Sequence, residues 1–213
     1  WRISVKNTLI LMSVVMFGLV GCKTTPDIPI QYPPGAPTIA SDFQSWTGIS
    51  GKNRRTQHQG IDIKGDDGQL ILAVADGTVL EATVEACWGP TIAVDHGKDQ
   101  DGKKIVALYG HVEDFLVAEG DQIKRGQPVA RLGNNYESFR CIAGVRHLHF
   151  QVGREYREKN AKGNSWGRAY FLHDGGWAVN PHLYWANGSH NVTCFEANKS
   201  YKSGSFTYPV PCG

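Results

Sequence analysis

The chain has no cysteine pair at the CxxC spacing, although it carries five cysteines in 213 residues. That lack excludes a structural zinc site of the four-cysteine kind, whose ligands come in close pairs. An excess of either charge is missing too, with 22 Lys and Arg against 20 Asp and Glu. Arg2 and Lys6 fall in a leader segment; without them the balance is neutral, which argues against a nucleic-acid partner. Nor is there an apolar run of the roughly 20 residues that a membrane span needs. Residues 9–20 come nearest and are interrupted by Ser13 and Gly18. Between residues 41 and 152 no long stretch carries apolar residues at helical spacing, which excludes a helical bundle.

What is present begins with that leader. A basic start, an apolar middle and small residues before Cys22 make residues 1–21 a signal peptide. Leu19-Val20-Gly21-Cys22 resembles the lipobox of bacterial lipoproteins, which implies lipidation at Cys22 and a membrane contact through that anchor. Lys23 follows, where Asp often retains lipoproteins at the inner membrane. The expected place is the periplasmic side of a Gram-negative envelope, at the outer membrane. Residues 22–40 carry Pro26, Pro29, Pro33, Pro34 and Pro37 and read as a semi-rigid tether.

From residue 41 the pattern is short strands separated by glycine turns. Leu70 to Val74 and Thr78 to Ala82 flank Asp76-Gly77, a hairpin signal. Thr91 to Asp95 and Lys104 to Tyr109 flank a second turn, and residues 119–133 read as two short strands around a glycine turn. That last pattern also occurs in lipoyl and biotinyl carrier domains, but no lysine occupies a carrier hairpin here. The expected fold is all-β, an antiparallel β-sandwich or partly closed barrel over residues 41–186. A loop-rich extension follows, with a disulfide-closed tail at residues 187–213. After Cys22 four cysteines remain, an even number in an exported chain, and three pairings are available. Cys194–Cys212 would close the tail locally, and Cys87–Cys141 would staple a loop near the histidine strand to the sheet.

The chemistry centres on Val145-Arg146-His147-Leu148-His149-Phe150-Gln151-Val152. In a half-buried strand, residues two apart share a face about 6.6 Å apart. His147 and His149 therefore project together, and Leu148 and Phe150 enter the apolar packing. Upstream stands His58-Gln59-Gly60-Ile61-Asp62. A regular strand would hold His58 and Asp62 about 13 Å apart, so a bend at Gly60 into a strand from Ile61 is expected. His58, Asp62 and one histidine of the 147/149 pair then make three N/O ligands with an open position, the plan of a catalytic zinc site. The other histidine stays free for proton transfer, as does His111 at a strand end.

His58-Gln-Gly-Ile-Asp62, Leu108-Tyr-Gly-His111 and His147-Leu-His149-Phe150, in that order, resemble the lysostaphin/LytM-type zinc endopeptidases of peptidoglycan. The resemblance covers residues 48–152, and Val179 to Tyr184 resembles the closing segment of that family. It implies His58, Asp62 and His149 as ligands of one Zn²⁺ per domain. It implies His111 and His147 as the non-ligand pair, divided between general base and oxyanion stabiliser. The implied activity is zinc-dependent hydrolysis of stem peptides or cross-links by a monomer, with a D-Ala to meso-diaminopimelate bond expected in this compartment. The rival is a catalytically inactive member that binds the wall or activates an amidase; a metal-binding or structural lipoprotein is the third class. Residues 134–146 depart from the family: the loop is longer, carries Cys141 and has Arg146 where Pro is common. Arg146 is expected to be solvated. His96, His173, His182 and His190 lack ligand spacing and are read as structural or surface residues.

Overall fold

The computed structural model describes residue 1, residues 28–156 and residues 178–213. The expected signal peptide, Cys22 and His173 lie outside the described residues. Among the described residues, ten strands run in chain order. The first five are β1 (Ile39–Ser41), β2 (Gly60–Lys64), β3 (Leu70–Leu72), β4 (Gly77–Glu85) and β5 (Gly89–Lys98). The others are β6 (Lys104–Gly110), β7 (Asp114–Phe115), β8 (Gln122–Ile123), β9 (Pro128–Arg131) and β10 (His147–Gly153). Helix is confined, among the described residues, to three 3₁₀ turns of three residues each.

The strands form a seven-stranded sheet, in the order β1-β2-β10-β6-β5-β4-β8, and a three-stranded sheet, β3-β9-β7. Every pairing is antiparallel. The expected antiparallel all-β architecture holds. The core lies between the sheets, with Ile61, Ile63, Ile71, Ile92, Tyr109, Phe150 and Phe206 shielded from solvent. Each such large side chain contributes about 1.5–3 kcal/mol by leaving water. All seven residues of β10 are buried, so this strand is covered on both faces and is not the half-buried strand its alternation predicted.

One expected turn is corrected. Asp76-Gly77 is no hairpin, because β3 and β4 belong to different sheets. Gly77 is absent from the positive-φ positions; a Cβ there would stand 2.7 Å from the Asp95 carbonyl oxygen and 2.8 Å from His96 Nδ1. The glycine admits a close crossing of backbone. The two short strands expected in residues 119–133 are β8 and β9, with a turn at Gly126 between them; β8 joins β4 while β9 joins β3.

The predicted boundaries at residues 40 and 186 also dissolve. Ile30, Tyr32, Ala36 and Ile39 pack on the core, and Gln31 exchanges backbone hydrogen bonds with His190 and Val192, both at 2.9 Å. Proline removes a donor but leaves carbonyls free to accept: Tyr208 Oη donates to Pro37 O at 2.8 Å. The tether is therefore fastened to the domain from Ile30 onward. The tail is core as well, since Phe206, Tyr208 and Val210 are buried and Leu72 N donates to Pro209 O at 2.8 Å. The structure joins Cys87 to Cys141 and Cys194 to Cys212.

His96 anchors the crossover between the sheets. Its Nδ1–H donates to Asp76 O at 3.0 Å, and its Nε2 accepts from Tyr109 Oη at 3.1 Å. Tyr109 Oη in turn accepts from Val74 N at 3.0 Å. Burial lowers the His96 pKa to about 4. An unfolded chain protonates this imidazole near pH 6.5, so the unfolded state takes up the proton first as pH falls. The stability from neutral His96 is complete above pH 6.5 and is lost toward pH 4, to the extent of about 3 kcal/mol. The stability gap between wild type and His96→Gln is therefore expected to shrink across that window in denaturant titrations. A gap independent of pH would refute this role.

Candidate metal centre

The site is assembled by strand register. On β10, His149 stands opposite Asp62 of β2 on one side and Gly110 of β6 on the other. Directly opposed residues share a face with Cβ atoms about 5 Å apart. This pairing brings the histidine to the carboxylate and places His111, one residue past β6, beside them. His58 enters from the loop before β2. That loop folds back on residues 41–47: His58 N donates to Ser45 O at 3.1 Å and Gln44 N to His58 O at 2.8 Å. Gly60 is needed here, within β2 rather than just before it. A Cβ at that position would stand 2.4 Å from Phe150 O and 3.0 Å from His149 Nε2.

Three donor atoms meet in a nearly equilateral triangle. His58 Nε2 lies 3.0 Å from His149 Nδ1, His149 Nδ1 lies 2.9 Å from Asp62 Oδ1, and Asp62 Oδ1 lies 3.1 Å from His58 Nε2. Among the described residues this is the cluster of three such donors that could hold a metal ion. All three residues are buried. The outer atoms are already engaged: His58 Nδ1 donates to Asp42 O at 3.0 Å and His149 Nε2 to Gln151 Oε1 at 3.2 Å. Asp62 Oδ2 is held by Arg54 Nη2 at 2.6 Å. Both imidazoles therefore turn lone pairs toward Oδ1, an arrangement that a cation stabilises and that is otherwise repulsive. A tetrahedral Zn²⁺ with bonds of about 2.0–2.1 Å spaces its ligands by about 3.3 Å, so the triangle needs to open by only a few tenths of an ångström. The donor set fits a divalent metal.

Protonation agrees with that fit. Burial pushes the Asp62 carboxyl up, but the adjoining His149 and His58 rings outweigh it and hold the group well below the usual carboxylate range. Burial lowers the His149 pKa, offset in part by Asp62. A carboxylate and neutral imidazoles are the forms that bind metal.

Two further histidines border the triangle. The His111 ring lies 4.9 Å from that of His147 and 5.6 Å from that of His149. His111 Nδ1 donates to Trp88 O at 2.8 Å and His147 Nδ1 to Val145 O at 2.6 Å. Each Nε2 therefore carries a lone pair. Burial, then the neighbouring His147 and His149, keeps His111 well below the usual imidazole pKa. Burial lowers His147 as well, against the pull of Asp62.

A cleft of about 400 Å³ opens over the site, lined by Ile49, Lys52 and Arg54 on one side and Trp88, Cys141 and Ala143 on the other. The long loop at residues 134–146 thus rims it. Arg146 is not simply solvated: its Nε donates to Gly133 O at 2.8 Å, it hydrogen-bonds Asn134, and its guanidinium lies 5.2 Å from the Tyr136 ring centre. His96, His182 and His190 stand outside the cluster.

Arg54, Trp88 and Gln151 are functional residues that sequence reasoning passed over. Gln151 was detectable, two places beyond His149 on the same strand face. Trp88 stands beside Cys87 but lacks any local pattern, and Arg54 reads as one of two loop arginines.

Over 117 residues the chain is 31% identical to the murein hydrolase activator NlpD of Escherichia coli, covering 54% of this chain and 27% of NlpD. Over 99 residues it is 37% identical to the lipoprotein NlpD/LppB homolog of Pseudomonas aeruginosa, covering 46% of this chain and 30% of that one. The chain spans less than a third of the length of these relatives. Among solved structures, the catalytic domain of lysostaphin from Staphylococcus simulans is 22% identical with a TM-score of 0.43, over 68% of this chain and 86% of that one. The profile of peptidase family M23 matches residues 56–162, half of the sequence. The chain belongs to peptidase family M23.

Proposed function

We propose that this protein is a zinc-dependent endopeptidase that hydrolyses peptide cross-links or stem peptides of peptidoglycan. One observation carries the reading: a donor triangle with edges of 2.9–3.1 Å stands beside two imidazoles, His111 and His147, whose Nδ1 atoms are fixed by backbone carbonyls and whose Nε2 atoms carry lone pairs, that of His147 at 3.6 Å from Asp62 Oδ1. His58 Nε2, Asp62 Oδ1 and His149 Nδ1 would hold the zinc. When bound, zinc supplies Lewis acidity, lowering the pKa of a coordinated water and polarising a carbonyl. Arg54 fixes Asp62 so that Oδ1 faces the site. In hydrolysis, water oxygen bonds to the carbonyl carbon, the C–N bond breaks and a proton reaches the amine. His111 or His147 accepts the proton of the attacking water at Nε2 and passes it to the leaving nitrogen, returning to the neutral form in which it started.

Peptidoglycan is favoured as substrate by the family and by relatives named for murein. An outer-membrane lipoprotein anchored at Cys22 is favoured by the lipobox-like Leu19–Cys22 and by relatives such as the outer membrane antigenic lipoprotein B of Haemophilus influenzae. The D-Ala to meso-diaminopimelate cross-link is the proposed bond, and a monomer the proposed state. The second reading is an amidase activator, supported by the names of NlpD and of EnvC, which is 30% identical over 102 residues. That reading leaves the donor triangle and both free imidazoles without a task.

Purified muropeptides incubated with residues 28–213 decide between them. The expected result by mass spectrometry is cleavage at a peptide bond, abolished by chelator and restored by Zn²⁺. Intact muropeptides in the presence of zinc, together with stimulation of an added amidase, would establish the activator reading instead.

A further inference from the structure

We infer that His182 and Asp42 are positioning residues for the metal-facing edge of His58, so that the C-terminal segment is a working part of the metal centre. The inference rests on the proposed reading that His58 binds zinc. It begins from an unbroken chain of hydrogen bonds running outward from the site. His58 Nδ1 donates to Asp42 O at 3.0 Å. The Asp42 carboxylate accepts from His182 Nε2 at 2.6 Å, and His182 Nδ1 accepts from Trp185 Nε1 at 3.1 Å.

The direction of every bond is fixed by chemistry. Indole N–H only donates, so His182 Nδ1 carries the lone pair and Nε2 the hydrogen. That hydrogen points at Asp42 Oδ1. A carbonyl only accepts, so the hydrogen of His58 sits on Nδ1 and its Nε2 lone pair faces Asp62 and His149. The Asp42 carbonyl alone sets the His58 tautomer; the bonds at His182 act on where that carbonyl stands, by holding the carboxylate of the same residue.

Asp42 serves both ends of this chain. Its Oδ1 also accepts from Phe43 N at 2.6 Å, and its carbonyl accepts from Ser45 N at 3.1 Å, which closes a tight turn beside His58. The turn continues through Gln44, a non-glycine residue with φ of 59°, a conformation held only when its surroundings impose it. His182 is the surrounding group from the C-terminal side. It is 2% exposed and lies 140 residues from Asp42 in sequence. It adds a long-range restraint to the local turn bond that Ser45 N makes to the Asp42 carbonyl.

Outer partners of metal-binding histidines fix ring orientation and raise ligand basicity, and their loss costs about 10–100-fold in metal affinity. Zinc affinity is to be measured by chelator competition for wild type, His182→Phe, Asp42→Ala and Val210→Ala. Asp42→Ala removes a half-exposed side chain and preserves the test should His182→Phe not fold. Val210→Ala weakens the same C-terminal packing without touching the chain of bonds. Cobalt-loaded proteins add a spectroscopic readout of ligand geometry. The expected result is a 10–100-fold loss of zinc affinity in His182→Phe and Asp42→Ala, with altered cobalt bands. Val210→Ala should match wild type in both. Wild-type affinity and bands in the first two variants, or equal losses in Val210→Ala, overturn the positioning role. A wild-type protein that binds no zinc overturns the metal reading itself.

Discussion

Replacing His149 by alanine is expected to remove zinc binding and peptide hydrolysis together while leaving the fold standing. His149 supplies one corner of the donor triangle, 2.9 Å from Asp62 and 3.0 Å from His58. Two remaining donors cannot complete a catalytic zinc site, which takes three protein ligands and an open position. Loss of an outer partner alone costs up to about a hundredfold in affinity, so loss of a ligand should exceed that. The fold survives because no charge is stranded. Asp62 keeps Arg54 Nη2 at 2.6 Å, whereas a buried carboxylate robbed of every partner would cost several kcal/mol. His58→Ala should behave in the same way. Metal content after dialysis, circular dichroism and muropeptide digestion test this together. Retention of zinc at wild-type affinity in His149→Ala would show that the ligand set is wrong.

The contrast between what could and could not be read in the sequence follows from the range of each rule. Strand alternation is local, and it correctly put His147 and His149 on one face with Leu148 and Phe150 on the other. The same rule, carried one step further, reaches Gln151. The link between His58 and Asp62 is nearly local, and a glycine between them signalled that the chain departs from a regular strand. Pairing of His149 with Asp62 spans 87 residues, and no short-range rule specifies that register; the donor set of a catalytic zinc site and the motif resemblance joined the two segments. Turn signals failed in an instructive way. Asp76-Gly77 has hairpin composition, yet the glycine answers to a close approach by Asp95 and His96 from another strand. Proline-rich composition misled for a related reason. It describes what the backbone cannot donate, not the apolar contacts that Ile30, Tyr32 and Ile39 make with the core.

Replacing His111 by alanine is expected to separate the two losses that His149→Ala combines, with zinc retained and turnover reduced about 10²–10⁴-fold. His111 contributes no atom to the donor triangle, so the metal should bind with wild-type affinity. It is nevertheless held with care. Its φ is 66°, a left-handed conformation that a non-glycine residue keeps only when its surroundings over-determine it. Its Nδ1 is fixed by the Trp88 carbonyl at 2.8 Å, and Trp88 follows Cys87, which is bonded to Cys141 on the cleft rim. The Trp88 ring lies 5.2 Å from His111 and 5.0 Å from His149. This scaffold leaves Nε2 as the one free acceptor of the ring. Burial and the adjacent histidines keep that nitrogen unprotonated well below the usual imidazole range, and a bound cation pushes in the same direction. The base form is therefore present at neutral pH and is lost only as pH falls below 6.5. The acid limb of the wild-type rate profile should accordingly lie below that value. His147, whose pKa burial also lowers, supports the residual rate of the variant. Zinc affinity, kcat and the pH profile of His111→Ala are the measurements, and wild-type turnover in this variant would remove His111 from the mechanism.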